Sequence, residues 1–542
     1  MSIFTVSRFV SVMCCIGFSL SSNTLLAQDT QPILLVNGNI ITLDSENTVV
    51  NSVLIEDGRF VSVGDISPAT APDAQVIDLN GRTVVPGLVD SHMHFVRGTL
   101  RPGHDLRTVE STRSIDELLQ AISLRAVGVP DGELISIVGG WDPVQFLGEN
   151  RFPTLIELDG AAPDHPVYMH LRANGPGVTN STGKALLEAE GIAVATDGMI
   201  TMGRGPGNAI AAWDVLKASQ TEADLRRGAT EFMSHANSLG LTTIIDAAGT
   251  NRPGAQLFES DKDYKTIYQL WRENQTSVRL RLMYMSWDDN VGDGSGDSEI
   301  EQRVRNSVMG FGDDMLRVVA LGEHTVSNNK GAPFIAATAL AARNGWSLQQ
   351  HSSSSEENLA HLAAFEQANE IASIGDLRWS LTHVHQITPD IISRLQSLGA
   401  GVTVQDHRYL NRGNVDSKLA GPPLRMLVDS GLPVGAGTDS TNAQPMSPWY
   451  SIYYMVSGKN VVGNPVNADQ KINRIEALRL YTLGSAWFSR DESTIGSIEV
   501  GKLADLAVLS DNYFEVPEDE IIDLSSVLTI LGGRIVYTEL DD

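Results

Sequence analysis

The sequence predicts an α/β fold, a (β/α)8 barrel of the TIM type with a small β-sandwich formed jointly by the two ends of the chain. Three observations predict it. The middle of the chain alternates short, β-branched apolar runs with helix-length stretches, the signature of βα units on a parallel sheet. Histidines and carboxylates stand at the ends of several of those runs, and such barrels carry their chemistry at the C-terminal ends of the strands. Both chain ends are β-rich with Asn-Gly, Asp-Gly and Gly-Gly turns, and neither is long enough to build a core alone.

Length and charge bound the rest. At 542 residues the chain exceeds one ordinary core, so more than one domain is expected. A net charge of −27 argues against a nucleic-acid partner, because binding phosphates requires a basic face.

Taken in order, residues 1–27 read as a secretory signal peptide. Arg8 supplies the positive start, residues 9–20 an apolar run, and Ala27 a small residue before Gln28. The run is too short for a stable membrane anchor, and no later stretch looks transmembrane. Cys14 and Cys15 both lie inside it, and the residues before them suit lipoprotein cleavage poorly. The mature chain therefore has no disulfide and no thiolate ligand, and the expected location is periplasmic or secreted.

Residues 28–86 form the N-terminal part of the sandwich, with strands at 33–36, 40–43, 49–56, 59–63, 76–79 and 83–85. Asn37-Gly38, Asp57-Gly58 and Asn80-Gly81 mark hairpin turns between them. Residues 491–542 answer with strands at 504–509, 527–531 and 534–537. Between these ends, residues 87–490 hold eight barrel runs, at 88–94, 242–246, 278–285, 316–323, 346–351, 379–383, 401–405 and 433–439. Helices are expected over 221–239, ending at Gly240, and over 356–369. The interval between the first two runs, roughly 140 residues, is far too long for a βα loop. It reads as an insertion at about 96–238 that lies over the barrel mouth and shapes the substrate pocket.

The chemistry starts at His92 and His94. Residues i and i+2 of a strand point to one face, so both imidazoles can reach one metal ion. The other strand ends add Glu323, His351, His383 and Asp439, four imidazoles and two carboxylates in all. This set suits one or two divalent ions, with Glu323 able to bridge two. Asp439, metal-bound or nearly so, is the expected proton carrier between the attacking water and the leaving group. His383, or a nearby donor, is the expected support for the oxyanion. His324, His385 and His407 stand close by as rival candidates.

Five segments of the chain carry a family resemblance. They are Ile55-Glu56-Asp57-Gly58-Arg59, the stretch 85–94 (Val-Pro-Gly-Leu-Val-Asp-Ser-His-Met-His), Leu239-Gly240-Leu241-Thr242-Thr243, Gly437-Thr438-Asp439, and the stretch 496–506. Together they resemble the amidohydrolase superfamily of metal-dependent hydrolases, close to its amidohydrolase-3 (YtcJ-like) branch. The resemblance implies a barrel with a split sandwich, and zinc or a similar metal at His92, His94, His351, His383 and Asp439. Two departures suggest a divergent subgroup. Many relatives carry a carboxylated lysine at the end of strand 4, where this chain has Glu323. The branch's Asp-Gly-His step in the insertion is replaced by Asn174-Gly175-Pro176.

The expected function is an exported hydrolase that cleaves a non-peptide carbon–nitrogen bond through metal-activated water. Ester or lactone hydrolysis and deamination use the same water and stay open. So does a non-catalytic binding or regulatory protein on a degenerate barrel, although the intact ligands count against it. The partner is a small-molecule substrate. Trp141 is a candidate pocket wall, Arg97, Arg172 and Arg425 are candidates to pair with a substrate carboxylate, and a homodimer is the default assembly.

Overall fold

The computed structural model describes residues 31–540 except 173–174, 204, 206, 248–256, 293, 295, 411–420 and 442–443. The signal-like segment, and Asn174 of the substituted Asn174-Gly175-Pro176 step, fall outside the described residues. Eight strands succeed one another along the middle of the chain. They are strand 1 (Leu88–Met93), strand 2 (Leu241–Asp246), strand 3 (Arg279–Tyr284) and strand 4 (Leu316–Leu321), then strand 5 (Gln349–Ser352), strand 6 (Ser380–His383), strand 7 (Gly401–Val404) and strand 8 (Val434–Ala436). They form two four-stranded sheets in the orders 4-3-2-1 and 5-6-7-8, parallel throughout. At one edge Leu321 bridges in parallel to Leu348, just ahead of strand 5. At the other, Asp439 N beyond strand 8 donates to His92 O of strand 1 at 2.8 Å.

Every residue of strands 1, 2 and 3 is buried, the polar ones included, and Arg279 and Arg281 of strand 3 are matched by Asp505 and Asp491. The helices start where their caps place them. Thr221 caps helix Glu222–Ser238 by accepting from Asp224 N, and the Asp224 carboxylate returns to Thr221 N. Ser354 and Glu357 do the same for helix Ser355–Ile371. The apolar faces of these helices, through Phe232, Met233, Leu362 and Phe365, share one core with Leu88, Leu241, Leu280 and Leu381 of the strands.

The two chain ends pair directly. Thr83–Pro86 lies antiparallel to Leu506–Leu509, with Val84 opposite Val508 and Pro86 opposite Leu506, at the centre of a six-stranded sheet. A second sheet of four strands holds Arg59–Gly64, Ser52–Glu56, Ile33–Val36 and Gln75–Asp78. Leu35, Val53 and Phe60 of the smaller sheet share an apolar cluster with Val84, Leu506 and Ile530 of the larger. The turns differ from expectation. Asp57-Gly58, both at positive φ, does close a hairpin between Glu56 and Arg59. Asn37-Gly38 and Asn80-Gly81 instead carry the chain from one sheet to the other, so these left-handed turns mark sheet changes, not hairpins.

The insertion has its own sheet, five strands in the spatial order Met199–Ile200, Gly177–Thr179, Val167–His170, Ile135–Val138 and His104–Asp105. Helix Ile115–Val127 packs on it through Ile115, Leu118 and Ile122, giving a separate apolar core. It reaches the loop after strand 8, where Met446 N donates to Glu110 Oε2 at 2.7 Å and Arg101 donates to Thr441 O. No helix among the described residues is long and apolar enough to cross a membrane.

Candidate metal centre and active site

All six expected donors meet at the C-terminal ends of the strands. His92 is fully buried, and its Nδ1 lies 2.5 Å from Gln349 Oε1. With that amide oxygen accepting, Nδ1 carries the proton and the lone pair of Nε2 faces inwards. There it lies 3.5 Å from Asp439 Oδ1 and 4.0 Å from Glu323 Oε1, with no hydrogen-bond partner among the described residues. His94 Nε2 lies 3.2 Å from Asp439 Oδ1 and 3.4 Å from Glu323 Oε2. Glu323 Oε1 faces the other way, 2.8 Å from His351 Nδ1 and 3.4 Å from His383 Nε2. The His383 and His351 ring nitrogens are themselves 3.0 Å apart.

Backbone and interior polar groups hold these side chains in place. His383 and Asp439 both adopt positive φ, 74° and 53°, a conformation costly for residues with a Cβ and concentrated at functional sites. Gly437 is required where it stands, because a Cβ there would lie 2.5 Å from His92 N. Below the cluster Asp90 accepts from His92 N, Thr438 N and Thr438 Oγ1, and so ties strand 1 to strand 8. Burial lifts the Asp90 carboxyl to about 7 despite those three bonds.

The electrostatics suit a cation. Burial by itself raises a carboxyl, yet the His351 and His383 bonds hold Glu323 well below its ordinary range. His407, His92 and His94 do the same for Asp439. Burial pulls the His92 imidazole down, but Asp439, Glu323 and Gln349 together raise it to about 9. A field that retains a proton on a buried imidazole also favours a metal cation among neutral ones. Buried nitrogen and oxygen donors with an inward, unpartnered Nε2 thus fit a borderline divalent ion. Ligand atoms of His92, His94 and Asp439 come within 4.8 Å of one another, as do those of His92, Glu323 and His383, and those of Glu323, His324 and His351.

His407, a rival candidate in the sequence, joins the centre at its outer side. Its Nε2 lies 2.6 Å from Asp439 Oδ2, and its Nδ1 lies 3.1 Å from His385 Nε2. It follows strand 7 by three residues, so the strand-end rule applied once more would have found it. Gln349 was not among the sequence candidates, although it sits two residues before His351 on the same strand face. His324 lies at the rim, stacked between Trp287 and His351, with ring centroids 4.4 and 5.2 Å away.

Three expected substrate contacts are not brought to the cluster. Trp141 is wholly buried in the core of the insertion against Phe146 and Phe152, so its apolar ring is core packing, not a pocket wall. Arg172 is bonded to Asp142 at 2.9 Å. Arg425 is held by Glu476 and Asp429 on an outer helix, its charge already matched there.

Residues 75–537 match the family model described as Amidohydrolase family. The chain belongs to the amidohydrolase family. Among curated members, the N-substituted formamide deformylase of Arthrobacter pascens is 25% identical, over 93% of this chain and 98% of its own. The putative amidohydrolase YtcJ of Bacillus subtilis is 23% identical, over 92% and 98%. Among solved structures, an uncharacterized metal-dependent hydrolase from Pyrococcus furiosus superposes with a TM-score of 0.60 at 22% identity, covering 89% of this chain and 100% of that one. Atrazine chlorohydrolase TrzN from Arthrobacter aurescens, complexed with zinc, gives a TM-score of 0.56 at 16% identity, covering 94% and 97%. This amidohydrolase is accordingly an enzyme of the hydrolase class with the fold of metal-dependent hydrolases.

Proposed function

We propose that this protein is an exported hydrolase that uses one or two divalent ions, zinc or a near neighbour, to cleave a carbon–nitrogen bond of a non-peptide amide. The observation that carries the reading is the position of Glu323. One of its oxygens faces His351 and His383 and the other faces His94, so a single carboxylate stands between two donor groups. The formamide deformylase among its relatives supports the bond class. In this reading the two four-stranded sheets close into one (β/α)8 barrel, residues 87–490, with the insertion at about 96–238. Segments 28–86 and 491–542 form one sandwich, and residues 1–27 are removed on export.

His92, His94 and Asp439 Oδ1 would hold one ion, and Glu323, His351 and His383 a second. When bound there, a divalent ion supplies a Lewis acid for the scissile carbonyl and brings the pKa of water towards 7. The chain's own groups do the rest. His383 Nε2 faces Glu323 and His351, which suits a ligand better than a free oxyanion donor. Asp439 Oδ2 faces outwards beside His407 Nε2. It takes a proton from the attacking water and delivers it to the departing nitrogen, which leaves as a neutral amine. His407 aims that carboxylate and keeps it ionised between turnovers.

Metal content by mass spectrometry tests the reading, on mature protein purified without added metal or chelator, beside Glu323→Ala. About two ions per chain, falling in the variant, are expected. One ion untouched by the substitution removes Glu323 from the centre, and no ion even after reconstitution overturns the metal-dependent reading. N-terminal sequencing of the exported protein, expected to begin at Gln28, checks the processing.

A further inference from the structure

The insertion and the helix Glu222–Ser238 line a cavity of about 560 Å³ between them. That is within the usual size of small-molecule sites, about 300–1,000 Å³. None of the metal donors lines it. The helix contributes Phe232 and His235, which share one face at a spacing of three, and the exposed Ser234. The insertion contributes Leu106, Arg101, Arg107 and Arg125.

The charges on this wall do not cancel. Asp105 is shared by Arg101 at 2.9 Å and Arg107 at 2.7 Å, and Glu231 faces Arg125 at 2.6 Å. Three guanidiniums of the lining therefore meet two carboxylates. Glu110 also holds Arg107 at 3.0 Å, but it lies outside the lining. Burial lifts its carboxyl to about 7, so at neutral pH it carries only part of a charge. Burial and the Arg107 charge pull the His235 imidazole down to about 4, which leaves that ring neutral. Arg101 Nε, Arg125 Nε and His235 Nε2 are buried without a hydrogen-bond partner among the described residues. Buried polar groups are normally satisfied, so such atoms around a cavity mark where a polar occupant sits. Cationic donors beside the apolar Leu106 and Phe232 suit an anion with an apolar body.

Two links lead from this wall to the loop after Asp439. Arg101 donates to Thr441 O, two residues beyond Asp439. Arg107 holds Glu110 through one carboxylate oxygen, and the other accepts from Met446 N at 2.7 Å. We propose that this cavity is a second ligand site, separate from the metal centre, that takes a small carboxylate with an apolar body and steadies the loop holding Thr441 and Met446. The carboxylate meets the arginine and imidazole nitrogens, and the body lies against Leu106 and Phe232. An anion that restrains Arg101 and Arg107 restrains their partners in that loop, and by linkage the state of the loop feeds back on the anion's affinity.

Calorimetric titration of benzoate and of neutral benzamide into the mature, metal-loaded protein tests the binding. Benzoate is expected to bind one-to-one and about tenfold tighter than benzamide, the margin that a charge-assisted hydrogen bond gives. Ser234→Phe fills the cavity from an exposed helix position and should weaken benzoate by about tenfold with metal content unchanged. Arg125→Gln should bring acid and amide close to equal affinity. Hydrogen exchange reads the link. The peptide holding Thr441 and Met446 is expected to exchange about fivefold more slowly in wild type saturated with benzoate, the lower end of usual coupling, and at its free rate in Ser234→Phe. Equal binding of benzoate and benzamide overturns the proposal. So does benzoate binding that survives Ser234→Phe, since it then lies elsewhere, as at the metal centre. Unchanged exchange in the saturated wild type overturns the link to the loop. If Ser234→Phe does not fold, Arg125→Gln carries both comparisons. No readout here needs turnover, so a failure of the hydrolase reading leaves the test intact.

Discussion

Asp439 serves two tasks on two oxygens. Oδ1 faces His92 Nε2 and His94 Nε2 at 3.5 and 3.2 Å, while Oδ2 faces His407 Nε2 at 2.6 Å. An amide in its place keeps one oxygen for a metal but cannot shuttle a proton. Asp439→Asn should therefore lower kcat by about 10²–10⁴, the usual worth of general acid–base catalysis, while the bound metal is retained. Metal content and turnover measured on the same preparation check this, and a variant with full turnover would remove Asp439 from that role. Gln349 shows how far such positioning extends. It fixes which nitrogen of His92 carries the proton, and the partners behind metal ligands usually matter for metal affinity by about 10–100-fold. His92 and His94 were legible in the sequence because a spacing of two on a strand needs no tertiary information. Gln349 and His407 were less so, since a glutamine or a fifth histidine gains meaning only beside its partner on another strand.

At the scale of elements, the eight parallel strands and the two long helices stand within a few residues of where apolar runs and capping residues predicted them. Local chemistry determines such features, because a buried parallel strand is rich in apolar residues and a helix must satisfy its first N–H groups. The insertion was harder. Its strands are short, and Met199–Ile200 and His104–Asp105 have only two residues each, so only pairing makes them visible. Trp141 illustrates the same difficulty, because a tryptophan near glycines serves equally as a pocket wall or a core residue until its neighbours are known. Here Phe146 and Phe152 surround it, with ring centroids at 6.1 and 5.2 Å. Trp141→Ala should cost about 3–5 kcal/mol, as for large-to-small changes in a packed core. Denaturant unfolding checks the loss, and KM per folded molecule should stay near the wild-type value. A large rise in KM without loss of stability would return Trp141 to the substrate pocket.

Over the whole molecule, buried carboxylates of the C-terminal segment bind the chain ends to the catalytic strands, Asp491 through Arg281 and Asp505 through Arg279. Arg279 on strand 3 donates to Asp505 through Nε at 2.7 Å and Nη2 at 2.9 Å, and Gly532 N at the final hairpin donates to the same carboxylate at 2.7 Å. Its carbonyl accepts from Gly87 N, the residue that leads into strand 1. The residue that precedes the C-terminal strand Leu506–Leu509 thus touches the entry to strand 1, strand 3 and the final hairpin turn. Both side chains of the pair are almost fully buried, so removing the carboxylate leaves a guanidinium without water or a counter-charge. Breaking a buried pair in this way typically costs about 3–5 kcal/mol. Asp505→Ala should therefore lose stability of that order. Coupling also makes a second statement. If the terminal sheets and the parallel sheets unfold as one unit through this joint, near-ultraviolet dichroism, which reports packed aromatics, and far-ultraviolet dichroism should give one coincident transition in the wild type. The two should separate in Asp505→Ala, with the terminal sheets melting first. Coincident transitions at an unchanged midpoint in the variant would mean that the paired strands Thr83–Pro86 and Leu506–Leu509 hold the ends without it.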